Sequence, residues 1–167
     1  MFAEHGFEGA RTRDILERAR VTAPALYHHF GSKAGLFTAV FRAVNDTVLE
    51  AFTAAAASAT TIEERIDAVL LASVRLQSVA PSLPRFVAIA PLEYRRHAEL
   101  SDLRQEMNRL GVFLRELCVD AADPSNTAKV LETLVYGLSR QAAAMSAAEY
   151  ADHVDAVRRM VRGDLLH

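Results

Sequence analysis

Apolar residues recur every three or four positions along almost the whole chain, and nowhere do they alternate convincingly with polar ones. The clearest run is Leu36, Phe37, Val40, Phe41, Val44, Leu49 and Phe52. That spacing lines one face of an α-helix, whereas a half-buried strand needs a period of two. No Asn-Gly or Asp-Gly hairpin pair is present. An all-α fold is the expectation. At 51% hydrophobic and 24% charged residues, 167 positions suffice for a full core. The longest unbroken apolar stretch is far short of a membrane span, and no charged-then-apolar leader opens the sequence. Cys118 is the single cysteine, so no internal disulfide can form, and a reducing cytoplasm fits.

Glycine and proline punctuate the periodic segments. A short first helix, which reads as truncated, ends at Gly6-Phe7. Helices are then expected over 12–19 and 23–30, with Arg20-Val21 in the turn between them. Gly31 breaks the second, and Ser32 is placed to N-cap a long helix to about residue 56. Further breaks are expected at 58–61, at the two-proline turn 80–84, at Pro91 and at 122–126. They bound helices over 62–80, 98–121, 127–145 and 147–165, with a short interrupted segment from Phe86 to Tyr94.

Two eight-residue helices joined tightly and backed by a long one have the spacing of a helix–turn–helix. The second carries "TAPALYHHF", residues 22–30. Stepping about 100° per residue puts Leu26, Phe30 and Ala23 on one side and Pro24, Ala25, Tyr27 and His28 on the other. His29 flanks the packed side and reads as structural. Proline is tolerated in a helix's first turn, where its missing N–H has no intrahelical partner anyway. Thr22 and Ala23 are both candidates for the cap. Tyr27 and His28 can donate to phosphate oxygens, and Ala25 can pack on a thymine methyl. Lys33, just inside the long helix, joins free N–H groups in a phosphate site, and Thr12 and Arg13 can do the same at the first motif helix. The overall charge of −2 disfavours a polyanion partner. Its distribution favours one: residues 1–45 hold six Lys/Arg against four acids, and the remainder thirteen against seventeen.

The stretch "HGFEGARTRDILERARVTAPALYHHFGSK" (5–33) resembles the DNA-binding head of the TetR family of bacterial transcriptional regulators. Gly6-Phe7, Asp14-Ile15, Val21, Leu26-Tyr27, His28, Phe30 and Ser32-Lys33 carry the likeness. The family usually has Thr at Ala10, a small Ala at Leu16, and often Gly at Arg20. The resemblance implies a helix–turn–helix head over 1–45 and an effector-binding, dimerising body over 46–167. It implies a homodimer gripping a pseudo-palindromic double-stranded DNA operator, and a repressor that answers to a small, mostly apolar effector. The implied DNA-facing residues are Thr12, Arg13, Thr22, Ala23, Pro24, Ala25, Tyr27, His28 and Lys33.

On the same likeness, the middle helices enclose the effector. The candidate lining is Phe86, Ile89, Leu92, Tyr94, Met107, Leu110 and Phe113, together with Val87; the competing reading of each is ordinary core. The last two helices pair the subunits through Val130, Leu134, Gly137, Leu138, Val154, Val157 and Val161; the competing reading is that both helices bury against their own body. An enzyme is disfavoured: there is no nucleophile elbow and no glycine-rich phosphate loop. No cofactor or metal is expected. His28 and His29 are adjacent and diverge on a helix, while Glu93/His97 and Glu149/His153 each lack a third ligand. Cys118 reads as a small buried hydrophobe. The alternative function is a helical dimer that senses a ligand or protein and has weakened or lost DNA binding.

Overall fold

A computed structural model describes residues 1–165, so the last two residues of the 46–167 body lie outside it. Among the described residues there are nine α-helices and no strand. They are α1 (Phe2–Gly9), α2 (Thr12–Ala19), α3 (Ala23–Phe30), α4 (Lys33–Ala56), α5 (Ile62–Val79), α6 (Ser82–Arg96), α7 (Leu103–Leu117), α8 (Pro124–Ala142) and α9 (Ala147–Val161). No single one is long and apolar enough to cross a membrane.

Local chemistry sets most of these boundaries. Side chains of Thr22, Ser32, Thr61, Asp123 and Ser146 each accept a hydrogen bond from a first-turn backbone N–H. Thr61 with Glu64 and Ser146 with Glu149 form reciprocal capping boxes. Thr22, not Ala23, caps α3. Arg20 takes the left-handed conformation (φ 55°, ψ 41°) that closes α2, at the position where glycine would be unstrained.

Several segments depart from expectation. α1 continues to Gly9, but Gly6 kinks it at φ 68°, ψ −171°. The two-proline turn and the segment interrupted at Pro91 are one helix, α6. Pro84 lies in its first turn, where no N–H is needed, while Pro91 sits inside and forfeits a backbone bond. Burial of Phe86, Val87 and Ala90 holds the helix together across that loss. The helix expected over 98–121 is a 3-10 turn, Ala98–Leu100, followed by the shorter α7. Leu100 and Leu103, on either side of that break, are both fully buried. α8 starts earlier than the sequence suggested, because Asp123 caps it with Pro124 in the first turn.

Two apolar cores stack along α4. One joins Phe2, Phe7, Leu26, Phe37 and Phe41 of the head to Phe86, Ala90, Leu100 and Leu103 of the body. Phe37 is its hub, with ring centroids 4.9 Å from Phe2, 5.5 Å from Phe7 and 5.0 Å from Phe86. Edge-to-face pairs of this kind add to simple burial. The other core gathers Phe52, Ile66, Leu70, Leu114, Leu131 and Val154, with Cys118 fully buried among them. Residue 45 falls inside α4, so head and body share one continuous helix and one of the two cores.

Candidate nucleic-acid interface

α3 is amphipathic in the sense the helical wheel requires. Leu26 is 3% exposed, whereas Pro24, Ala25, Tyr27 and His28 are all exposed. His29 departs from expectation: it is exposed, with its ring edge-on to Phe30 at 4.5 Å. α2 contributes no fully buried residue, and its Ile15 and Leu16 are half-covered. A cleft of about 280 Å³ between Phe2, Ile15, Leu36, Val40 and Phe86 runs along that inner face. Ala10, where the family usually has Thr, is completely buried. Its methyl is a packing group, and a hydroxyl there would need a partner.

The second motif helix is aimed by a close backbone contact that sequence reasoning missed. A Cβ on Gly35 would fall onto the carbonyl oxygen of Phe30, so the first turn of α4 admits the end of α3 only with glycine. Gly31 turns the chain at φ 72° just before Ser32. Lys33 then reaches back across the head. Its Nζ donates to the carbonyl of Glu8 at 3.2 Å and stands 5.0 Å from the centre of the Phe7 ring. The ammonium is positioned by these contacts rather than waving in solvent. Thr12 is half-buried, Arg13 is exposed and 3.6 Å from Asp14, and Thr22 spends its hydroxyl oxygen on the α3 cap.

A polar joint ties the head to α6. The backbone N–H of Phe7, freed by the kink at Gly6, donates to Glu93 Oε2 at 3.0 Å. His97 Nε2 lies 3.3 Å from the same carboxylate, and its ring packs 5.0 Å from that of Phe7. A Cβ at Gly6 would stand 3.0 Å from Glu93 Oε1. The Glu93/His97 spacing, visible in the sequence, thus serves a helix-to-helix contact. No group of three or more His, Cys, Asp or Glu suited to a metal occurs among the described residues.

The expected effector lining does not converge. Phe86 and Val87 are buried in the head-side core, and Ile89 and Tyr94 pack on its edge. Phe113 lies against the body core, with its ring 6.1 Å from Phe52. Only Leu110 and Val87 of the eight line the more enclosed cavity between α4, α5, α7 and α8, which offers only about 40 Å³. That is room for a few water molecules. Its polar lining includes Asn45, Ser73 and Tyr150, all missed in the sequence. Tyr150 donates to Ser73 Oγ at 3.1 Å, and burial pushes its phenol above the ordinary value. Leu92 and Met107 instead border an open groove of about 470 Å³ on the other side of α6. The eight are split because α6 turns opposite faces to the core and the groove, and α7 likewise.

The expected dimer residues divide too. Leu138 and Val154 are 5% and 1% exposed within the body core, so they are not available to a partner. Helical spacing places them on the inner faces of α8 and α9, against α5 and α7. Leu134, Val157 and Val161 are half-buried at the core edge, while Val130 is 56% exposed and Gly137 has open space beyond it.

Residues 1–40 match the family of bacterial regulatory proteins called the tetR family. Over 41 residues the chain is 49% identical to the HTH-type transcriptional repressor AcnR of Corynebacterium glutamicum; the match covers 25% of this chain and 22% of that relative's length. GusR of Salmonella enterica superposes with a TM-score of 0.75 at 19% identity, over 99% of this chain and 90% of that one. AibR, solved in complex with isovaleryl coenzyme A and operator DNA, gives 0.70 at 19% identity, over 95% of this chain and 90% of that one. At such identities the two structures speak to the fold.

Proposed function

We propose, from the premise that this chain carries a tetR-family head, that it is a DNA-binding transcriptional regulator, a repressor acting on a two-fold operator as a dimer. The observation that carries it is α3: Leu26 is locked inward while Pro24, Ala25, Tyr27 and His28 stand together in solvent. Tyr27 and His28 donate to phosphates, Ala23, Pro24 and Ala25 give the helix a small face that enters the major groove closely, and Lys33 with the α4 N-terminus holds the flanking phosphate. Thr12 and Arg13 at the start of α2, and Thr22 at the cap of α3, complete the proposed contact set. The repressor AcnR supports the sign of regulation, and AibR with its operator supports DNA binding by this fold.

Two heads must sit about 34 Å apart to read successive half-sites, which requires a partner. The exposed face of α8 at Val130 and Gly137, continued by Val157, Met160 and Val161 on α9, supplies it. The head spans 1–45 and the body 46–167, with α4 as the shared shaft. A small effector held by the body changes head spacing through α4 and α6. The protein works in the cytoplasm, needs no cofactor and catalyses nothing. Electrophoretic mobility shift on the gene's own upstream DNA across a salt series tests the reading. Sequence-preferring, salt-sensitive retardation is expected. Its absence from a folded dimer leaves the alternative, a sensor without DNA binding.

A further inference from the structure

The open groove beside α6 is lined by one stripe from each of three helices. Leu92 and Arg95 come from α6, Arg104 and Met107 from α7, Tyr136 and Arg140 from α8. The spacings within each stripe are three or four residues, so each helix turns a single face to the same space. Its floor is apolar: Leu92 is 44% exposed there, with Met107 and Tyr136 half-buried beside it. Its rim is cationic. Among the described residues no carboxylate lies within 4.0 Å of any of the three guanidiniums, whereas Arg109 on the opposite side of α7 is paired with Asp46 and Glu106. One acid, Glu132, also lines the groove; burial first, and then this carboxylate, raises the Tyr136 phenol above its ordinary value. Three positive charges against one negative, on a chain of net charge −2, is a local excess.

Like charges gathered over an apolar floor focus field on whatever fills it. A guanidinium matches a carboxylate or phosphate in a two-point, planar fashion. A volume of about 470 Å³ is that of a small-molecule site, and the enclosed cavity is far smaller. We infer that this groove binds a small amphipathic anion, its apolar body on Leu92, Met107 and Tyr136 and its anionic group on Arg95, Arg104 and Arg140. The inference deepens the effector reading above and rests on it. α6 also gives it a route to the head. Arg95 faces the groove two residues from Glu93, which holds the Phe7 backbone N–H of α1. An anion that draws Arg95 inward acts on the same turn of helix that grips the head.

Isothermal calorimetry of the full chain with octanoate, 1-octanol, octylammonium and inorganic phosphate tests this. Octanoate binds, 1-octanol binds at least about tenfold more weakly, and octylammonium does not bind. Phosphate alone binds weakly, since it leaves the apolar floor empty. Arg104→Ala and Arg140→Ala each weaken octanoate by about tenfold, with unchanged thermal stability because both side chains are exposed. Equal affinity for octanoate and 1-octanol, or binding indifferent to both variants, overturns the inference. So does loss of the dimer in Arg140→Ala by sedimentation, which would make the groove a subunit contact. DNA retardation without octanoate binding sinks the groove and spares the regulator. Octanoate binding without DNA retardation does the reverse.

Discussion

Leu26 and Lys33 define what single side chains contribute to the head. Leu26 is 3% exposed in the core it shares with Phe37 and Leu36. Leu26→Ala should cost about 2–5 kcal/mol, the range for deleting a buried leucine and leaving a cavity. Urea denaturation checks this; unchanged stability with altered operator preference would mean that α3 is rolled the other way. Lys33 has a different signature. Its Nζ is held 3.2 Å from the Glu8 carbonyl, beside the α4 N-terminus. Lys33→Ala should weaken binding to all DNA sequences alike and reduce the salt slope by about one ion. Mobility shifts on operator and scrambled duplexes at several salt concentrations separate that outcome from a loss confined to the operator.

The pairing of α5 with α9 shows how two helices are fastened. Arg158 of α9 grips Asp67 of α5 through Nε at 2.7 Å and Nη2 at 2.9 Å, and Arg162 adds a third contact at 2.7 Å. Hydrogen bonds from Arg158 are the first cause of an Asp67 carboxyl held below its ordinary value of 3.8. A folded pKa below the unfolded one means that the ionised form is the one the fold prefers. The stabilisation is therefore full above the unfolded pKa and is lost as pH falls through the folded one. Asp67→Asn should cost about 1.5–3 kcal/mol at neutral pH, the worth of hydrogen bonds to charged groups. The urea midpoints of wild type and variant should approach each other as the solution is acidified past the Asp67 range. A constant gap would locate the loss in packing instead.

At the scale of the whole molecule, α4 and α6 make head and body one mechanical unit. Phe86 and Ala90 reach into the head core, and Glu93 bonds its backbone. On the proposed reading, operator recognition depends on dimerisation. Gly137 has open space beyond its backbone, so Gly137→Glu adds a side chain that the monomer tolerates. In an exposed helix interior the change even improves helix propensity, by roughly 0.5–1 kcal/mol. Sedimentation should nevertheless show a monomer, and operator retardation should fall with it. A variant that stays dimeric would move the subunit contact away from α8.

The head was legible in the sequence because its rules are local. Helical period, the Thr22 and Ser32 caps, Gly31 and the inward Leu26 act over a few residues, and each recurs in the fold. The likeness of residues 5–33 to one family rests on that same local pattern. α6 was misread because proline's local cost outweighs periodicity in a sequence, whereas burial of Phe86, Val87 and Ala90 outweighs proline in the fold. The effector and dimer residues rest on the family likeness together with apolar or small character. Apolar character cannot tell a side chain facing its own core, such as Leu138 or Val154, from one facing a groove, such as Leu92. Helix order and amphipathicity were written in neighbouring residues. Which faces met, and which were left open with three arginines around them, was decided only when distant helices packed.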